Sequence, residues 1–260
     1  MDTPFVALLA GLLYAVATVA RPRVRPGPLL GVILAAILCS ALAIESAVAR
    51  PGGFVLPLGA ALALFGWLLS VAHLPLRRRW RLQPIDTVVW LTAAVMIPAG
   101  LLISTDATDV TSALSAALRV HIGISLLAWA LLTLAALQTI AATWQSHRLR
   151  NHQTPAFDEP LMTMEQASFK LLGLGWILLL IGVASGFLFV DNFLTQHLAH
   201  KTAFTLLAAV LFGVLLLGRQ LRGWRGDQAL RWILAAWVML AVGYAGVKWI
   251  LESVLERSWS

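Results

Sequence analysis

Apolar residues along this chain come in long unbroken runs, not at the one-face spacing of a helix lying on a soluble core. Eight runs, at about 4–20, 29–49, 54–72, 86–103, 118–142, 169–190, 202–218 and 231–250, approach the ~20 residues a helix needs to cross a ~30 Å hydrocarbon core. The pattern predicts an all-α, polytopic membrane helix bundle of about eight transmembrane helices, forming a single integral membrane domain over residues 1–260. The longest segment between runs, roughly 143–168, holds HRLRNHQTPAFDEP and then LMTMEQASFK. Pro155 and Pro160 break helix there, and the second half predicts a short interfacial helix feeding the sixth span. No internal repeat is visible, so the inverted halves common in transporters find no support.

The polar residues between the runs are sorted by charge. Arg21, Arg23 and Arg25 follow the first run, and Arg77, Arg78, Arg79 and Arg81 follow the third. Arg148, Arg150 and Lys170 follow the fifth; Arg219, Arg222 and Arg225 follow the seventh. The alternate connections hold few cations, which predicts basic loops in the cytoplasm and both termini outside, N-out and C-out. The formal charge of +7 is spent in these clusters, so it argues for membrane orientation and not for nucleic acid. With 60% hydrophobic and 12% charged residues, no soluble fold could cover the apolar surface. Cys39 is the single cysteine, which excludes an internal disulfide, a Cys-x-x-Cys redox pair and a Cys-x-x-Cys-His covalent haem site. The start, MDTPFVALLA, lacks a basic n-region and predicts an uncleaved first span.

Ligating side chains near a membrane core are expensive, so each one is a candidate site. His121 falls at the outer end of the fifth span; His200, with His197 three residues before it, falls at the outer end of the seventh. Neutral imidazoles from two helices could clamp a flat macrocycle as axial ligands of haem iron. Arg119 and Lys201 adjoin them as partners for propionates, and Trp129 lies two turns along the face of His121. The alternative for each is an interfacial histidine with its polar tip in water. His73, His147 and His152 read as members of a solvated basic face. Asp106 and Asp109 read as a solvated turn, Glu45 as a partner for Arg50, and Pro98 as an isolated kink candidate. Gly175, Gly182 and Gly186 predict close packing of the sixth span against a neighbour. No Ser/His/Asp grouping, phosphate loop or HExxH is present, so hydrolysis and nucleotide chemistry lack support and the chain does not read as an enzyme. Charged residues are almost absent at mid-depth, which disfavours a transporter.

Three segments resemble a known family: VHIGISLLAWALLTLAALQTIA, PLMTMEQASFKLLGLGWILLLIGVASGFLF, and HKTAFTLLAAVLFGVLLLGRQLRGWRG with the ALRWILAAWVMLAVGYAGVKWILE that follows. They are similar to the cytochrome c assembly (CcsA/CcmC-like) membrane proteins, above all the shorter YpjD- and HemX-like inner membrane branch, over roughly residues 118–252. The resemblance implies a multi-pass protein of the bacterial inner (plasma) membrane that holds non-covalent b-type haem at its outer face. It implies His121 as the first iron ligand and His200 as the second, with His197, Arg119, Lys201 and Trp129 around the cofactor. The implied partners are membrane lipid and a haem-accepting apocytochrome or other membrane protein. Two departures stand out. The family's Trp-rich external motif has no counterpart in DNFLTQHLAH. Ser40 and Arg219 align where family members carry intramembrane histidines. An alternative is therefore a haem-free accessory or scaffold protein that regulates a membrane partner. The GWRG motif reads as a turn, with Gly223 and Gly226 permitting it, Trp224 anchoring at the interface, and Arg222 and Arg225 holding it inside.

Overall fold

Each apolar run, as far as it is described, folds chiefly as a helix, because hydrocarbon offers no partner to an exposed backbone group and a helix satisfies its own. The computed structural model describes residues 3–21, 26–50, 53–54, 56–103, 115–189 and 196–243. The helices are α1 (Thr3–Ala20), α2 (Pro26–Val48), α3 (Leu58–Arg79), α4 (Asp86–Ile103), α5 (Ala116–Arg150), α6 (Leu161–Phe189), α7 (Gln196–Arg222) and α8 (Gly226–Ala241). A two-residue antiparallel pairing of β1 (Ala49–Arg50) with β2 (Gly53–Phe54) links α2 to α3. Among the described residues, seven helices, α1 to α7, are long and apolar enough to cross a membrane. The chain is an all-α, multi-pass membrane bundle. The described part of α8 has 16 residues, short of the ~20 a crossing needs; the remainder of the predicted eighth run lies outside the described residues.

The chain divides into two compact units, residues 1–130 and 131–260. In the first, α1 packs on α2 and α4, and α3 packs on α4. Size sorts the two faces of α1: Phe5, Leu8, Leu12, Val16 and Val19 point outward, while Ala7, Ala10 and Ala17 are buried. Lipid is as apolar as leucine, so large side chains lose nothing by facing it, and small ones let backbones approach. The approach is close at Gly11, where an added Cβ would lie 2.9 Å from the Ala94 carbonyl oxygen. At Gly100 it would collide with the Gly59 carbonyl. Pro98 sits inside an unbroken α4, its ring against Gly11.

The second unit contains the later part of α5 with α6, α7 and α8. Gly175 packs on Leu132 as the glycine spacing predicted, an added Cβ there falling 2.9 Å from the leucine side chain. Gly182 and Gly186 are buried. The Trp176 indole donates to the Ala209 carbonyl at 2.8 Å, tying α6 to α7. The Trp237 indole pairs with the Thr133 hydroxyl at 2.9 Å, tying α8 to α5.

Two expected boundaries move. Helix α5 continues past 142 to Arg150, and its 35 residues span about 52 Å, well beyond the hydrocarbon thickness. The expected interfacial helix is the first turns of α6 itself, one helix of 29 residues from Leu161. Between them the proline segment folds back on α5. The Gln145 side chain accepts from the Ala156 and Phe157 amides at 2.8 and 3.2 Å and donates to the Phe157 carbonyl at 3.0 Å.

Candidate functional site

The predicted outer site draws on two helix starts. In the first turns of α5, His121 is half-buried and Arg119 is exposed. Two residues of helix turn the chain by about 200°, so the two side chains leave α5 on nearly opposite sides. Arg119 lies with its guanidinium 4.8 Å from the centre of the Phe54 ring, on the β2 hairpin strand. Trp129 is buried, and its ring packs on Phe65 of α3 at 4.5 Å. It stands about 12 Å along the axis from His121 and holds α5 against α3. His197, His200 and Lys201 all fall in the first turns of α7, and i, i+3 spacing puts His197 and His200 on one helix face. Their side chains lie outside the described residues, as do Asp106, Asp109 and the side chain of Arg50. His121 belongs to the first unit and His200 to the second.

Beside Arg119 the first unit opens into a cleft of about 380 Å³. Its walls are apolar, from Ile44 and Val48 on α2, Leu64 and Trp67 on α3, and Ile122 on α5; among the described residues Glu45 and Arg119 are the charged ones lining it. The volume falls in the ~300–1,000 Å³ range of small-ligand sites. His121 is not part of this lining.

At the opposite end of the same unit lies a polar cluster, and it corrects the reading of His73. The residue is not solvated: it is fully buried, and its Nε2 lies 2.8 Å from Oδ1 of Asp86, itself 1% exposed. Arg77, one turn along α3, donates from Nε to Oδ2 of Asp86 at 2.7 Å. Arg21 follows α1, approaches the same oxygen at 3.4 Å, and donates to the Gln83 carbonyl at 2.7 Å and the Thr87 hydroxyl at 3.1 Å. A carboxylate oxygen accepts, so His73 donates from Nε2, and its buried Nδ1 has no hydrogen-bond partner among the described residues. Trp90 meets the imidazole edge-on at 5.0 Å and stacks on Tyr14 at 6.1 Å. The Tyr14 hydroxyl is buried toward Ser70 and Ser40, whose own hydroxyls donate to the carbonyls of Gly66 and Ala36. The signal missed was the pairing of a histidine and an arginine four apart with the carboxylate that opens the next helix.

The second unit carries an exposed counterpart at its basic end. His147 Nε2 lies 2.7 Å from Oδ1 of Asp227, and Arg150 lies 3.1 Å from Oδ2. The His147 ring, followed by the Arg150 guanidinium, holds the Asp227 carboxyl below its ordinary range. Here the solvated reading of His147 stands, with half its side chain exposed. His152 is exposed too. The GWRG turn closes α7 next to it. Gly223 takes φ +66°, and its amide donates to the Arg219 carbonyl at 3.2 Å, a left-handed cap that a side chain would strain. Trp224 folds over Gly218 and stacks on Trp232 at 5.4 Å.

Haem chemistry can be tested on these residues at two places. At the helix starts predicted to lie outside they suit it in kind: His121 offers a half-buried imidazole at the start of a membrane helix, and cations adjoin the histidine positions. At the two intramembrane positions they do not. Ser40 is buried and donates to its own helix at 2.6 Å, and Arg219 covers the Phe169 ring at 4.8 Å. Neither gives iron a ligand.

Over residues 55–255 the sequence matches the family described as cytochrome C assembly protein, which takes in α3 and α4 as well as the C-terminal half. It is 26% identical over 230 residues to the inner membrane protein YpjD of Escherichia coli K12, covering 84% of each chain. It is 30% identical over 193 residues to an uncharacterized 28.8 kDa protein in the nifR3-like 5' region of Azospirillum brasilense, covering 69% of this chain and 68% of the relative. No solved structure matches it significantly. With a family match across most of its length and a membrane bundle to carry it, the chain belongs to the cytochrome c assembly protein family.

Proposed function

We propose that the protein is a haem-handling component of cytochrome c-type biogenesis in the bacterial inner membrane, the location that the name of its YpjD relative states for that protein. In this reading the two units work as one integral membrane domain, with both termini outside and the basic helix ends in the cytoplasm. Haem is held non-covalently at the outer face, with His121 as an iron ligand and His200 as the second. When bound, it would supply an iron centre that accepts imidazole nitrogen. Lys201, beside His200, provides a cation for a propionate. Trp129 keeps the His121 helix docked on α3 through Phe65. The cargo passes to an apocytochrome or another membrane protein, and no covalent step is assigned to this chain.

The observation that carries this reading is a half-buried histidine opening a membrane helix in a chain of this family. Protein purified from cells supplied with haem should show a Soret band with about one haem per chain, and His121→Ala should remove most of it. A colourless wild-type protein, or a band that His121→Ala leaves intact, would reject it.

A second reading is a haem-free scaffold that stabilises a membrane partner. It is favoured by Ser40 and Arg219, which are committed to backbone and ring contacts where family members offer histidine. A partner co-purifying in fixed ratio with colourless protein is its expected sign.

A further inference from the structure

We infer that the cleft of the first unit is a site for one phospholipid with an ethanolamine headgroup, distinct from any haem site. Its walls would take an acyl chain, since they are apolar over nearly the whole lining. Its charges are arranged for a zwitterion. Glu45 and Arg119 both line it, yet they form no ion pair with each other among the described residues. Both side chains are exposed, so each can meet a headgroup where the cleft opens. Arg119 presents a planar fork that matches a phosphodiester, while its other face rests on Phe54. Glu45 suits the ammonium group that an ethanolamine phospholipid carries next to its phosphate.

The location agrees. The cleft opens at the end of α2, the start of α5 and the intervening hairpin, which is the end of the first unit away from the Arg77–Arg79 turn. Headgroup chemistry therefore falls at a membrane boundary and the apolar wall runs toward the hydrocarbon. Gly123 leaves room in the lining: an added Cβ would meet nothing within 4 Å. A larger residue there fills the cleft without disturbing a packed neighbour, and replacing glycine inside a helix favours the helix by about 0.5–1 kcal/mol. The proposal does not rest on haem binding, because His121 leaves α5 on the other side.

The test uses full-length protein in nanodiscs of equal palmitoyl-oleoyl phosphatidylethanolamine and phosphatidylglycerol, transferred to detergent and examined by native mass spectrometry. The wild type should keep one phosphatidylethanolamine per chain in preference to phosphatidylglycerol. Arg119→Gln should lower the retained fraction at least about tenfold, as expected when a charge-assisted bidentate contact is lost. Glu45→Gln should keep a phospholipid but lose the preference for ethanolamine. Gly123→Leu should exclude both lipids with a thermal melt no lower than that of the wild type. Retention in Arg119→Gln and Gly123→Leu equal to wild type would overturn the site, as would wild-type protein that keeps neither lipid. Haemin that displaces the retained lipid, with a Soret band lost in Arg119→Gln, would overturn it in favour of haem. Loss of the Soret band in His121→Ala alone bears on the haem reading and leaves the lipid result standing.

Discussion

Two aspartates open helices after basic connections, Asp86 in α4 and Asp227 in α8, and each gathers one histidine and at least one arginine from preceding elements. The chemistry is the same and the setting is opposite. His73 and Asp86 are 0% and 1% exposed, whereas His147 and Asp227 are both 49% exposed. A carboxylate withdrawn from water must recover its hydration from protein donors, so the Asp86 cluster binds α1, α3 and α4 into one obligatory arrangement. Water can replace any member of the Asp227 cluster, and salt screens it. Residue identity thus tells which groups pair, while depth decides whether the pairing is structural.

The largest effect expected is at Asp86. Asp86→Asn leaves two guanidinium groups and a buried imidazole facing an amide, at a cost of about 3–5 kcal/mol for breaking a buried pair. Arg21 and Arg77 keep 30% and 19% exposure, which puts the expected loss near the lower figure. Thermal unfolding in detergent measures it, and a shift no larger than that of Asp227→Asn would erase the distinction between the clusters. Next comes His73→Ala, which leaves Oδ1 of Asp86 without its donor and should cost about 1–3 kcal/mol on the same melt. Restoration by His73→Asn would separate the hydrogen bond from packing against Trp90.

The smallest effects belong to the exposed cluster. Asp227→Asn should leave the melting temperature nearly unchanged, and raising the salt should erase whatever difference remains. Its pH dependence has a fixed sign. A carboxyl held below its ordinary value of about 3.9 contributes stability above that value and loses it as pH falls through the lowered one. Wild type and Asp227→Asn should therefore converge as the pH falls into the acid range. A difference that persists unchanged into acid would place the titrating group elsewhere.

How much of this the sequence discloses follows from the same distinction. The membrane helices are legible because hydrocarbon thickness sets a length that apolar runs must meet. Gly175 and the turn at Gly223 are legible because local spacing alone specifies them. The end of α5 is not: hydropathy stops where the lipid stops, yet Gln145, Arg148 and their neighbours continue the helix into water and fasten the proline segment to it. His73 looked solvated because its partner Asp86 opens the next helix, and Arg21, which meets the same carboxylate, lies 52 positions earlier than His73. The cleft is hidden for the same reason, since Glu45 and Arg119 meet it from distant helices. Of the predicted outer site, the sequence disclosed the helix starts and, through the two-residue spacing, the opposite sides of Arg119 and His121, but not the cleft beside Arg119.

The haem assignment at His121 is tested most directly by chemical rescue. His121→Gly protein loaded with haemin should lack the wild-type Soret band and regain it when imidazole is added, because the free ring occupies the vacated axial position. A His121→Gly spectrum identical to wild type before any imidazole is added would contradict the assignment.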